Sequence, residues 1–98
     1  MIVARFKVQC RSDRTEEVAA AIAAVEAPSR KLAGVVHFDV ARSLADANSL
    51  IAVEVFQDRE ALERQEAQAE VAKVMSLIEA GALAGEPEWT VWEASSTG

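Results

Sequence analysis

Residues 2–9 alternate in character, with Ile2, Ala4, Phe6 and Val8 on one side and Val3, Arg5, Lys7 and Gln9 on the other. A period of two is that of a β-strand. Asp13 with Glu16 three residues on has the spacing of a capping box, which places the start of a helix there. Val18, Ile22 and Val25 then recur at four and three, one apolar stripe on an Ala-rich helix. Pro28, lacking an N–H to bond back one turn, should bend or weaken the last turn, and Gly34 breaks the chain after it. Residues 35–42 form a second strand, and the polar stretch Ser43–Ser49, with Asp46 and Asn48, is turn-like. Residues 50–56 form a third strand whose apolar residues fall on both parities, so it is expected to be covered on both faces. Asp58 caps a short helix through Ala61, Leu62 and Gln65. Val71, Val74, Met75 and Ile78 give the stripe of a further core-facing helix, which Gly81 terminates. After Gly85-Glu86-Pro87, residues 89–93 close as a fourth strand, with Trp89 and Trp92 on opposite faces, one for the core and one for an interface.

The order β-α-β-β-α-β is the ferredoxin-like α+β arrangement, a four-stranded antiparallel sheet with helices on one face. One domain over residues 1–94, with 95–98 as a frayed tail, accounts for the whole chain. Helices cover only one face of such a sheet, and the third strand is apolar towards both. In a chain of 98 residues the natural cover for the other face is the same face of a second copy, so a homodimer is expected.

Composition narrows the chemistry. A formal charge of −6 and a pI near 4.7, with no basic cluster beyond pairs such as Arg30-Lys31, argue against nucleic-acid or anionic-membrane partners. Cys10 is the one cysteine and His37 the one histidine, which rules out an intrachain disulfide, a Cys-based zinc site and any multi-His metal site. The N-terminus reads as a strand without the long apolar segment of a signal peptide, and no apolar run approaches a membrane span. The expected compartment is the cytoplasm.

The line Gly34-Val35-Val36-His37-Phe38-Asp39-Val40, then Asp46-Ala47-Asn48, then Val53 to Leu62, together with the opening Val3 to Val8, resembles the antibiotic biosynthesis monooxygenase family, small dimeric α/β-barrel proteins. The resemblance implies cofactor-free oxygenation, without metal, flavin or haem, of an electron-rich quinol, phenol or polyketide-like aromatic. The protein would supply a dry pocket, a group that takes the proton and a donor to the oxyanion. Such a pocket would lie between sheet and helices, lined by Phe6, Phe38, Phe56 and Met75. The chain departs from the family pattern at Phe56, where relatives carry Trp, at Gln65, often His, and at Glu70-Val71, in place of His-Phe. No helix holds the histidine that the haem-degrading branch uses as iron ligand.

Each candidate side chain has a plainer alternative. Asn48 is a donor to a substrate oxygen by its family position, or a turn residue bonding its own backbone. Glu54, between Val53 and Val55, is a general acid or base if buried alone, or one half of an ion pair with Arg5 or Arg42, or an interface hydrogen-bonding group. His37 is a proton acceptor, or a half-exposed strand residue. Arg5 is an anion-binding residue by resemblance, or part of a salt bridge. Cys10 is read as structural or incidental rather than a reactive thiol, and the run Glu60, Glu63, Glu66 and Glu70 as a solvated helix face. Two rival readings stand beside the oxygenase. One is an isomerase or cyclase of a small keto compound, and the other a non-catalytic ligand-binding or structural dimer.

Overall fold

A computed structural model describes residues 1–95; the expected fraying of 96–98 lies outside the described residues. Seven elements follow along the chain: β1 (Ile2–Gln9), α1 (Thr15–Arg30), β2 (Val35–Arg42), β3 (Ser49–Phe56), α2 (Arg59–Glu66), α3 (Ala69–Glu79) and β4 (Glu88–Glu93). The strands pair antiparallel in the order β2-β3-β1-β4, the ferredoxin-like α+β sheet that the sequence pattern predicts. The second helical region is two helices, α2 and α3, parted by a turn at Ala67–Gln68.

Register decides which side chains meet. On the helix-covered face, Ile2, Ala4, Phe6 and Val8 of β1 stand opposite Phe56, Glu54, Ala52 and Leu50 of β3. A bulge at Val36 interrupts the β2–β3 ladder: Val35 faces Phe56, and the next pair is His37 with Val55. The extra residue lets both Val35 and Phe38 point towards the helices, while His37 points to the other face.

Two apolar clusters join the layers. The larger sets Val18, Ile22 and Val25 of α1 and Val74 of α3 on Val8, Phe38 and Leu50 of the sheet. The smaller groups Ile2, Ala4 and Phe56 with Ala61 and Leu62 of α2. Burying one such aliphatic or aromatic side chain contributes roughly 2 kcal/mol, so a layer of this size holds the helices on one face.

One sequence expectation about a helix end is corrected. Asp13 does not cap α1; Arg14 occupies the N-cap without a side-chain bond, and Asp13 pairs with Arg11 at 3.4 Å. The entry is anchored instead by buried Thr15, whose hydroxyl donates to Asn48 Oδ1 at 2.8 Å and lies 3.1 Å from the Arg11 carbonyl. Pro28 lies in the last turn of α1, as the pattern places it. The helix runs through it and tightens afterwards, with the Lys31 and Leu32 amides bonding the carbonyls of Pro28 and Ser29, three residues back. Asp58 does cap α2, accepting from the Ala61 amide at 2.9 Å.

Gly34 links α1 to β2 with φ +85°, and a Cβ there would lie 2.7 Å from Ala61 Cβ. Gly81 has φ +88° with nothing within 4 Å of such a Cβ. Both positions carry the left-handed cost of a side chain, but only Gly34 adds a clash with a buried helix. Gly34→Ala should therefore lose at least about 2 kcal/mol in urea unfolding and Gly81→Ala about 1 kcal/mol. Equal losses at the two sites would show that α2 does not rest on Gly34.

Candidate active site

The wedge between the sheet and the helices is not filled. A cavity of about 440 Å³ remains there, within the roughly 300–1,000 Å³ range of small-molecule sites. Phe6, Phe38, Val40 and Trp89 form its floor from the sheet, Ile22 and Val25 one wall from α1, and Val71, Val74 and Met75 another from α3. Phe6 and Trp89 meet edge to face, with ring centres 6.2 Å apart and planes at 66°, the favoured geometry of aromatic neighbours. Trp89 and Pro87 stand at the rim, on the least covered strand of the sheet.

Glu54 is the polar centre of this apolar wall. It lies on β3, between Ala4 of β1 and Phe38 of β2, on the helix-facing side, and is 4% exposed. Its Oε1 is buried and has no hydrogen-bond partner among the described residues. Neither alternative pairing holds. Arg5 points to the opposite face, across from Val53 and Thr90. Arg42 is bonded to Glu16 through both guanidinium nitrogens, at 2.7 and 3.2 Å. Burial, and then the nearby charge of Glu66, push the Glu54 carboxyl up to about 8. A carboxyl in that range gives and takes protons near neutral pH.

Two further polar groups line the cavity, Gln65 and Glu66, both from the end of α2. Gln65 is buried, and its amide approaches the Ser29 hydroxyl of α1 at 3.4 Å; Gln68 donates to the same hydroxyl at 2.8 Å. This polar joint holds α2 against α1. The sequence reading missed Glu66, which it placed on a solvated face, and did not bring Gln65 or Trp89 into the pocket. The signal for Gln65 was available, since it follows buried Ala61 and Leu62 at spacings of four and three.

The other sequence candidates are distributed differently. Phe6, Phe38 and Met75 line the cavity as expected. Phe56 does not: it is fully buried one layer away, against Ile2, Ala4 and Leu62. Asn48 is held in the β2–β3 turn, its amide bonded to Asp46 Oδ1 at 2.9 Å and its side chain to Thr15. It thereby joins the hairpin to the start of α1, outside the cavity. His37 and Arg5 both lie on the face without helices, where His37 is exposed. Cys10 is buried beside Thr15, and burial raises its thiol, opposite to the shift of a reactive cysteine. Among the described residues no three His, Cys, Asp or Glu side chains gather as a metal site. Among the same residues no helix is long and apolar enough to cross a membrane.

A one-sided antiparallel sheet, with an apolar cavity under its helices and a buried carboxyl on the cavity wall, places the chain in the ferredoxin-like class of α+β proteins. Within it the chain belongs to the antibiotic biosynthesis monooxygenase family, whose model matches residues 1–76. No curated protein matches in sequence. Among solved structures, Rv0793 from Mycobacterium tuberculosis is 18% identical with a TM-score of 0.86, the alignment covering 97% of this chain and 95% of that one. PA3566 from Pseudomonas aeruginosa is 20% identical at a TM-score of 0.84, covering 97% and 94%. A Nitrosomonas europaea protein, provisionally assigned as an antibiotic biosynthesis monooxygenase, is 18% identical at a TM-score of 0.86, covering 96% and 98%. Identities this low carry the fold and not the chemistry.

A carboxyl raised from an ordinary 4.5 to about 8 on folding binds a proton in the folded state that the unfolded state has released. Its contribution is therefore least unfavourable below about 4.5 and worsens as pH rises towards 8. Across that window the wild type should lose stability on the order of 3 kcal/mol that Glu54→Gln does not lose. Parallel stability–pH curves for the two proteins, measured in urea, would mean that Glu54 is solvated or paired.

Proposed function

We propose that the protein is a monooxygenase that oxygenates an electron-rich quinol, phenol or polyketide-like aromatic in the Glu54 cavity, without a bound cofactor. Family membership supports the reaction class, and the observation that carries the site is the buried, unpartnered Glu54 carboxyl on an apolar, aromatic wall. Ionised, Glu54 takes the proton of the bound hydroxyl, and its raised proton affinity brings it closer to that of a phenol. The resulting oxyanion makes the ring electron-rich enough to reduce O₂ directly. A C–O bond forms, one oxygen stays on the ring carbon and the other leaves as water, and the substrate supplies all four electrons. The protonated carboxyl is then a donor to the developing oxyanion. The apolar walls keep bulk water from the reactive intermediate.

Oxygen uptake by metal-stripped protein with hydroquinones, naphthoquinols and anthrones tests this reading. Uptake should exceed the spontaneous rate and rise with pH as Glu54 ionises towards 8. Glu54→Gln should lower it by roughly a hundredfold or more, whereas Asn48→Ala, outside the cavity, should change it little. Turnover of a keto substrate with no O₂ consumed would replace the oxygenase by the isomerase reading.

The open sheet face is proposed as the contact with a second copy. Val3, Ile51, Val53, Val55 and Trp92 share that face, with Val53 39% and Trp92 48% exposed in the single chain. An apolar strip of this kind on a small protein marks an interaction surface. The double variant Val53→Lys/Trp92→Lys should run as a folded monomer in sedimentation where the wild type runs as a dimer. A wild-type monomer at the same concentration would exclude the interface.

A further inference from the structure

The charge pattern of the cavity is one-sided. Its ionisable side chains are Glu54 and Glu66, and no Lys, Arg or His lines it among the described residues. Glu54 is buried with a free oxygen, and Glu66 is exposed at the end of α2, where the cavity meets solvent. Phe6, Phe38 and Trp89 line the same cavity.

We infer that this site selects its ligand by charge: it admits an uncharged aromatic phenol and rejects the same ring system bearing a carboxylate or sulfonate. Resting on the reading of the cavity as the substrate site, this names the substrate's charge class and the residues that set it. An entering anion sheds its water and finds no cation in exchange, which is the costly form of burial. It also approaches Glu66, whose carboxylate repels it at the mouth. A neutral phenol meets neither cost. Its hydroxyl finds the unsatisfied Oε1 of Glu54, and its rings find the aromatic floor. The chemistry upstream would accordingly leave the aromatic without an acid group, either by removing a carboxylate or by never attaching one.

The test is calorimetric titration at pH 6.5 with a matched pair, 2-naphthol and 6-hydroxy-2-naphthoate, neither of which needs O₂ or turnover. The neutral compound should bind saturably and at least about tenfold more tightly than its carboxylate. Glu66→Gln should narrow that ratio severalfold, the change falling on the anion. Met75→Arg, a cation at a partly exposed wall position, should bring the anion in. Failure of 2-naphthol to bind, equal binding of the two, or a ratio unmoved by both variants would overturn the inference. Binding and oxygen uptake separate the two proposals. Selective binding without uptake removes the oxygenase reading alone, and uptake with unselective binding removes charge selection alone.

Discussion

The carboxyl of Glu54 has to be accommodated on an apolar wall with no cation beside it, and much of the site's architecture relates to that demand. Its position follows from register: β3 is an inner strand, so its helix-facing side chains stand between those of β1 and β2. The neighbours there are Ala4 and Phe38, one too small and one too apolar to satisfy it. The two arginines that could neutralise it are directed elsewhere, Arg5 by strand parity and Arg42 by its bidentate bond to Glu16. Leaving a carboxyl in such a place destabilises the fold, and a protein that retains it keeps a group poised to exchange a proton.

The helical layer explains why there is space around that group. Clusters on either side of the wedge are well packed, one under α1 and α3 and the other under α2. Between them the packing stops short: α2 is capped by Asp58, abuts Gly34 and meets Ser29 of α1 through Gln65. The cavity is thus a product of where the helices are pinned. Met75 and Trp89, too exposed to belong to the core, become its wall and rim.

The sheet has two faces with different tasks. One presents Phe6, Phe38 and Glu54 to the cavity, and the other presents valines and Trp92 away from the helices. A bulge at Val36 keeps the division clean in β2, since it lets Val35 join Phe38 towards the core and sends His37 outwards. Association through the outer face would leave the cavity's chemistry within one chain, while stiffening the strand that carries Glu54.

Much of this was legible in the residues. Period-two and 3.6-residue patterns located all four strands and the helical regions, and the mixed parity of residues 50–56 announced a strand with two faces to cover, because those signals depend on local geometry alone. Phe6, Phe38 and Met75 were recognisable as wall residues for the same reason. Other features were not legible, since they depend on what a side chain meets across the fold. Asp13 and Glu16 have capping spacing, yet Thr15 and Asn48 hold the helix start through a contact 33 positions apart. Phe56 and Phe38 look alike in sequence, but one is sealed under α2 and the other opens on the cavity. Glu66 shares the spacing of solvated glutamates and still lines the site. The chain by itself determined the elements, the apolar faces and the presence of one carboxylate in a strand that must be buried. Only tertiary structure decided that this carboxylate has no partner, because pairing depends on the register of strands and the direction of two arginines distant in sequence.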